Sequence, residues 1–340
     1  MLFEEIVFLR FHFSRKKIFK NDKFCYQIFY KKDDFIFIII GSSGFIGKNL
    51  YQEIKKTGFN VSGTFNNNPS NTIEPNDQIY LDIKDNNFDK IGDLKNIKYA
   101  ILCHGITNIN TCKSDNQLSY FINVFQTIKL LSFLKQLGIT PIYLSTNMVY
   151  DGKTMFPTEK TKPAPILEYG KQKLIVENFI EKNFQKYLIC RLTKVFGVEI
   201  NDQTICTSWF NKLINNQKIS ATDNVVIAPI YVLDLVQILL SLIDNNCSGI
   251  FHISGQQYLS VYKFACFFVK TLNFNFSLIQ KLPIEHFDFI EPYPKYNSLD
   301  YQKLQKTIKI NFTSYEECFF KILQNYKEAN KSQLNNFATL

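Results

Sequence analysis

The sequence predicts a doubly wound α/β fold, in which helices cover both faces of a parallel sheet. Short apolar runs alternate with segments of helical period between residues 35 and 192. The first run, residues 35–40, is uninterrupted by polar residues, as in strands that are buried on both faces. It leads directly into glycines at positions 41, 44 and 47.

The three glycines indicate a turn that binds a phosphate group. Glycine lets the backbone bend sharply and approach a ligand closely. A helix that begins near Gly44 would direct its free N–H groups and the positive end of its dipole at an anion. We therefore expect the diphosphate of a dinucleotide at this turn. The spacing G-x-x-G-x-x-G differs from the commonest fingerprint, G-x-G-x-x-G, and an ordinary strand–turn–helix unit is the alternative.

The remaining elements follow from periodicity. Strands are expected at 60–64, 78–83, 99–103, 141–144 and 187–192, and helices at 119–137, which Gly138 would end, and at 169–180. After residue 198 the alternation loosens, and runs at 225–230, 249–254 and 261–272 suggest a smaller, interleaved second lobe. The expected organisation is an N-terminal extension of unknown role (1–34), a nucleotide-binding domain (35–197, with return segments near 225–255), a mostly substrate-binding lobe (198–330) and a polar tail (331–340).

Composition excludes several classes of function. The chain has 340 residues, 46% of them hydrophobic, and a net charge of +9 that is spread along its length. No run of Lys and Arg residues is long enough to indicate a nucleic-acid-binding site, and no apolar stretch has transmembrane length. Eight cysteines form no C-x-x-C pair and only four histidines occur, so we expect no metal site and reduced thiols in a cytoplasmic protein. Residues 1–34 are compatible with an extra element, a targeting signal or translation from an upstream start.

A second motif carries acid–base chemistry. Tyr169 and Lys173 are four residues apart and share one helix face. A nearby ammonium lowers a tyrosine pKa from about 10, so that the phenol can exchange a proton with a carbonyl oxygen near neutral pH. Thr146, at the end of the fifth predicted strand, could hold the same oxygen. The pattern Tyr-x-x-x-Lys also occurs at 51/55 and 80/84, and only its position after the strand end singles out the pair at 169/173.

Together these motifs resemble the extended short-chain dehydrogenase/reductases, most closely their dTDP-4-dehydrorhamnose reductase-like branch. The resemblance rests, in order, on the glycine turn, on Ser145-Thr146-x-x-Val149-Tyr150-Asp151-Gly152, on Tyr169-Gly170-x-x-Lys173 and on Arg191-Leu192-x-x-Val195-Phe196-Gly197. It covers residues 35–310 and implies a Rossmann domain, an NAD(P) cofactor and a nucleotide-sugar substrate between the lobes.

The resemblance also implies roles for individual residues. Thr146, Tyr169 and Lys173 would be the catalytic triad. The cofactor would contact Gly41, Ser43, Gly44, Phe45, Ile46 and Gly47 at the turn, Asp82 and Ile83 near the adenine, residues 102–105 (with His104 and Gly105) after the fourth strand, and Tyr169 and Lys173, while Asn123 would lie on the following helix.

The chain departs from the branch in two places. Asn147-Met148 replaces Asp-Tyr, and His104 stands where the family has a small residue. A catalytic role for His104 is conceivable, but a packed or cofactor-lining histidine is favoured. The segment 64–67, Thr-Phe-Asn-Asn, offers neither the acid that favours NAD nor a basic residue that favours NADP. We lean slightly to NADP, because no acid would repel a 2′-phosphate.

The expected activity is reduction of a 4-keto nucleotide sugar. The alternatives are a nucleotide-sugar epimerase or dehydratase, and a non-catalytic regulatory subunit like the β subunit of methionine adenosyltransferase. The oligomeric state is left open, a homodimer included. Arg191 is compatible either with a phosphate or with a buried acid.

Overall fold

The structure, a computed structural model, describes the backbone of residues 35–337 and the side chains of residues 37–330. The predicted extension, 1–34, and the end of the predicted tail, 338–340, lie outside the described residues.

Seven parallel strands form the central sheet. From one edge to the other they are β3 (Gln78–Tyr80), β2 (Asn60–Phe65), β1 (Phe35–Ile40), β4 (Tyr99–Leu102), β5 (Thr140–Thr146), β6 (Leu188–Leu192) and β11 (Gly249–Ile253). The chain proceeds outward from β1 to β3 and then resumes on the other side of β1 with β4. The cleft between β1 and β4 is therefore the switch point, where doubly wound sheets bind ligands beyond the carboxyl ends of their strands.

Helices cover both faces of this sheet, as the doubly wound prediction requires. One face packs on α1 (Phe45–Lys56), α8 (Val232–Asp244) and α10 (Gln302–Thr307), and the other on α2 (Asp89–Gly92), α5 (Thr127–Gln136) and α6 (Glu168–Asn183). Successive residues of β1 alternate between the two cores: Phe37 and Ile39 lie in one, Ile38 and Ile40 in the other. All four are at most 2% exposed, which explains why this strand has no polar residue.

The segment that leads into α5 is irregular. It comprises α3 (Ile109–Ser114), α4 (Asn116–Tyr120) and a π-helical stretch, Phe121–Gln126. The helix predicted at 119–137 therefore begins earlier, at Asn116, and is widened in its middle; its predicted end is confirmed, because Gly138 adopts a left-handed φ of 68°.

A second lobe has its own aromatic core, in which Phe196, Trp209, Phe264 and Phe319 meet. Its helices are α7 (Ile205–Ile214), α9 (Val261–Thr271) and α11 (Tyr315–Phe337), and its short strands are β7 (Val195–Phe196), β8 (Ile219–Ala221), β9 (Val226–Ile227), β10 (Ile230–Tyr231), β12 (Leu259–Ser260), β13 (Ile279–Lys281) and β14 (Tyr296–Asn297).

One prediction needs correction. The third strand is three residues long rather than the expected run of 78–83, because the backbone turns into a 3₁₀ helix at Ile83–Asp85. Helix α11 continues into the predicted polar tail as far as Phe337. Between residues 35 and 337, no helix is both long and apolar enough to cross a membrane.

Candidate active site

The glycine turn joins β1 to α1 at the switch point of the sheet. Gly41 has a φ of 85°, in the left-handed region that disfavours a side chain, and Gly44 is the N-terminal cap of α1 without any capping side chain. A Cβ on Gly47 would lie 2.4 Å from the carbonyl oxygen of Gly41, so the turn closes against the helix only because position 47 lacks one. The N-terminus of a twelve-residue helix is thus left clear, which fits the diphosphate of a dinucleotide.

Residues on β2 hold this turn in place. The Gly41 N–H donates to Thr64 Oγ1 (2.9 Å), and the Ser42 N–H donates to the Thr64 carbonyl (2.8 Å). A Cβ on Gly63 would lie 2.2 Å from Ser42 Oγ, so the turn can press against β2 only at a glycine. Sequence reasoning assigned no role to Ser42 or Gly63, although a glycine inside a strand is a signal of close backbone approach.

The other residues predicted at the turn are divided between the surface and the core. Ser43 and Gly44 are exposed at its top. The side chain of Ile46 packs against the central core, and that of Phe45 packs against the second lobe. Phe45 and Ile46 thus present only their backbone, within the first turn of α1, to a ligand at the helix N-terminus.

The predicted triad converges at the end of β5. Thr146 is the last residue of β5, and Tyr169 lies in the first turn of α6, close enough to the Thr146 side chain for that hydroxyl to lower the Tyr169 pKa. The close approach depends on Gly170, because a Cβ there would lie 2.1 Å from the carbonyl oxygen of Met148. The Tyr-Gly pair of the motif therefore has a packing reason as well as a chemical one.

Lys173 behaves differently from the expectation. Its ammonium donates to the Leu144 carbonyl (2.9 Å) and lies 5.9 Å from the centre of the Tyr169 ring. Burial lowers the pKa of Lys173 to about 8. Burial also raises the pKa of Tyr169, and the opposing influence comes from the Thr146 hydrogen bond rather than from the lysine. The predicted lowering of the tyrosine pKa by Lys173 is therefore wrong for this structure, because desolvation outweighs a charge that is aimed at a carbonyl.

His104 lies between the turn and the triad. A Cβ on Gly41 would lie 3.0 Å from the His104 backbone, so the ends of β1 and β4 are in contact. The His104 pKa falls to about 3 through burial and, to a smaller degree, through the charge of Lys173. Since this imidazole is neutral, its electrostatic environment does not suit a proton carrier at neutral pH.

Gly105 and Asn123 complete the end of β4. Gly105 has a φ of 128°, and a Cβ there would lie 2.8 Å from Asn123 Oδ1. That oxygen accepts from the Ile106 N–H (2.8 Å), while Asn123 Nδ2 donates to the Ile106 carbonyl and to Gln172 Oε1. The amide therefore ties the loop after β4 to α6, close to Tyr169 and Lys173.

Asp82 and Ile83 lie nearer to the edge of the sheet than the other predicted cofactor-binding residues. They follow β3, two strands away from β1 in the sheet, and the Asp82 side chain accepts from the Lys84 N–H (2.9 Å). Gln126 joins this turn to the π-helical segment by donating to the Lys84 carbonyl (3.0 Å). The position at the outer side of the switch point is compatible with the predicted contact to an adenine.

Arg191, which the sequence left between two roles, pairs with a buried acid. Its guanidinium donates to both carboxylate oxygens of Glu177, with a shortest distance of 2.6 Å, and the two side chains are 2% and 0% exposed. Ser145 Oγ also donates to Glu177, and Arg191 Nη1 donates to the Tyr150 hydroxyl (2.6 Å). Through Ser145, the residue before Thr146, this network supports the catalytic strand end.

Asn147, which replaces the Asp of the reductase-like branch, contacts the second lobe. Asn147 Nδ2 donates to Asn297 Oδ1 (2.9 Å), and Asn297 Nδ2 donates to the Pro294 carbonyl (2.7 Å). Both asparagines are buried. Asn147 therefore ties the end of β5 to the second lobe. Across the described part of the chain, no group of acidic, histidine and cysteine side chains has the arrangement of a metal site.

Comparison with known proteins identifies the family. Residues 36–328 match the family described as RmlD substrate binding domain. This chain belongs to that family. The match spans the sheet, the triad and the second lobe, and it confirms the family predicted from the motifs.

Relatives in this family carry different functions. Methionine adenosyltransferase 2 subunit beta of Xenopus laevis is 26% identical over 278 residues, covering 79% of this chain and 81% of the relative. A probable low-salt glycan biosynthesis reductase of Haloferax volcanii is 24% identical over 272 residues, covering 78% and 90%.

Among solved structures, dTDP-4-dehydrorhamnose reductase of Bacillus anthracis in complex with NADP is similar with a TM-score of 0.73 and 22% identity, covering 85% of this chain and 99% of that one. MoeE5 in complex with UDP-glucuronic acid and NAD has a TM-score of 0.75 at 17% identity, covering 86% and 99%. These likenesses confirm the Rossmann-type fold.

Proposed function

We propose that this protein is an NAD(P)-dependent reductase of a 4-keto nucleotide sugar. The observation that carries the proposal is the meeting of Thr146, Tyr169 and Lys173 at the end of β5, together with a glycine turn in which no side chain caps the N-terminus of α1. The family's reductases and the NADP and NAD complexes of similar structures support it.

Some of these residues would bind the cofactor, and others would transfer a proton to the substrate. The backbone of the glycine turn and the N-terminus of α1 would hold the diphosphate. The bound dihydronicotinamide supplies hydride to the keto carbon. Tyr169 keeps its proton at neutral pH because burial raises its pKa, and a protonated phenol is the form that can donate to the developing alkoxide. Thr146 would orient the same oxygen, and Lys173 would hold a ribose of the cofactor.

The substrate and setting are part of this proposal. A nucleotide sugar fits the family, since similar structures include MoeE5 with UDP-glucose and a UDP-glucose 4-epimerase with UDP-glucose. We retain NADP as the slightly favoured cofactor, a cytoplasmic location and an open oligomeric state that includes a homodimer.

The decisive variant is Tyr169→Phe, which removes the proton donor and keeps the ring. We expect turnover of a dTDP-4-keto-6-deoxy sugar with NADPH to fall by at least about a hundredfold, with the Kd for NADPH nearly unchanged. Tyr51→Phe is the matched control, because Tyr51 belongs to a second Tyr-x-x-x-Lys pair, but its hydroxyl donates to Asp77 and not to a triad residue. Retained turnover in Tyr169→Phe would refute the assignment.

A regulatory subunit is the second candidate, favoured by the similarity to methionine adenosyltransferase 2 subunit beta. The complete triad argues against it, since a purely structural partner needs no Tyr–Lys pair. NADPH binding without oxidation by any nucleotide sugar, together with a stable complex with a methionine adenosyltransferase catalytic subunit, would establish this second candidate instead.

A further inference from the structure

Two buried side-chain polar atoms within residues 37–330 have no hydrogen-bond partner, and one of them is His104 Nδ1. The other is Gln126 Oε1, on the residue before the one that His104 contacts. Leaving such an atom unpaired costs about 1–3 kcal/mol, and native proteins rarely do so without a reason. A buried acceptor without a partner, on a residue that contacts the glycine turn, indicates a ligand group that completes it.

The tautomer of His104 follows from its neighbour. The Thr127 hydroxyl has one proton and donates it to the Ile122 carbonyl (3.0 Å). The same hydroxyl lies 2.9 Å from His104 Nε2, so we assign it as the acceptor there and place the imidazole proton on Nε2, which satisfies both contacts. Nδ1 is consequently a bare lone pair, and the low pKa of the ring keeps it so.

The surroundings of His104 limit the kind of ligand group that Nδ1 can bind. The His104 backbone touches the glycine turn, and Lys173 is near enough to lower the His104 pKa. A phosphate oxygen would repel an acceptor, so Nδ1 requires a donor. Between its diphosphate and its bases, a dinucleotide offers the hydroxyl groups of its riboses as donors.

We propose that His104 Nδ1 accepts a hydrogen bond from a ribose hydroxyl of the bound dinucleotide. The proposal rests on the proposed function only in requiring that a nicotinamide dinucleotide binds. It makes His104 a positioning residue, held by Thr127 at one nitrogen and by the cofactor at the other.

The test combines a spectroscopic and a thermodynamic measurement on the full chain. In ¹⁵N-histidine-labelled protein, the Nδ1 resonance of His104, assigned with His104→Asn, should move upfield when NADPH is added, as an acceptor nitrogen does on gaining a hydrogen bond. His104→Leu should weaken NADPH binding about fivefold to tenfold, the equivalent of one hydrogen bond. His104→Asn retains an acceptor near the Nδ1 position and should restore most of the affinity.

Each contrary result has its own meaning. Saturable NADPH binding without a shift of Nδ1 would overturn the proposal and leave the proposed function standing. An Nδ1 resonance that is already upfield in the free protein and unchanged by NADPH would overturn it in favour of a trapped water, shared with Gln126. Absence of NADPH binding to the unsubstituted chain would instead overturn both proposals.

Discussion

Replacing Glu177 by Gln should destabilise the protein strongly, although the substitution keeps the shape of the side chain. Glu177 is completely buried and is the carboxylate that pairs with Arg191, which is 2% exposed. The glutamine would retain one acceptor oxygen and place an NH₂ group against the guanidinium. A buried positive charge would then lose its counterion, and Ser145 Oγ would lose the strongest acceptor within its reach.

The size of the effect follows from that burial. Removing one partner of a buried ion pair costs about 3–5 kcal/mol, whereas an exposed pair contributes about 0–1 kcal/mol. Arg191 donates three hydrogen bonds to the carboxylate, which places this pair well within that range. We expect Glu177→Gln to lower the free energy of unfolding by about 4 kcal/mol.

Equilibrium urea denaturation at neutral pH measures this change. Glu317→Gln is the matched control, since Glu317 pairs with Lys321 at a surface where their side chains are 58% and 40% exposed, and it should cost less than about 1 kcal/mol. The double variant Glu177→Gln/Arg191→Met should recover much of the loss, because no unpaired charge remains. A loss of unfolding free energy below about 1 kcal/mol for Glu177→Gln would show that the ion pair does not support the end of β5.

Three further predictions test the turn, the second buried histidine and cofactor choice. Gly47→Ala would place a Cβ 2.4 Å from the Gly41 carbonyl oxygen and should weaken NADPH binding at least about tenfold in a fluorescence titration. Gly92→Ala is the control, because its Cβ would lie 3.3 Å from the Phe133 ring, and the Kd for NADPH should stay unchanged. Burial lowers the pKa of His252 to about 3, so the unfolded chain takes up a proton that the folded chain does not. As the pH falls from about 6.5 to 3, His252 should therefore lower the free energy of unfolding by up to about 1.4 kcal/mol per pH unit. His104, whose pKa is lowered equally, should add a similar contribution. His252→Gln should reduce the total slope by one proton, and an unchanged slope would contradict the assignment. Asn66→Asp should weaken NADPH binding more than NADH binding, and equal effects on the two Kd values would remove the argument for NADP.

The sequence was sufficient for the fold because its strongest signals are local. The apolar run before the glycine turn and the strand–helix alternation predicted the parallel sheet, and the order of the motifs predicted the family. Both are confirmed. Helices α7, α8, α10 and α11 were not predicted, although the apolar residues of α7 and α8 recur at helical spacing and could have indicated both helices.

The candidate site was predictable in its residues but not in its electrostatics. Spacing alone suggested that Lys173 would lower the pKa of Tyr169. Burial of both groups, and the hydrogen bond from Lys173 to the Leu144 carbonyl, depend on how β5 and α6 pack. The roles of Gly63 and Gly170 were likewise hidden, because each one is set by a backbone contact with a different element. The assignment of the site residues remains a prediction.

The most direct test of the central claim is a single-turnover reaction with NADPH deuterated at the transferable position of the nicotinamide. The protein, in excess over a dTDP-4-keto-6-deoxy sugar, should yield a product sugar that is one mass unit heavier, with deuterium on the former keto carbon. Tyr169→Phe should bind the same cofactor and form no labelled sugar in the same time. Tight NADPH binding with no deuterium in the sugar, for the unsubstituted chain, would contradict the account.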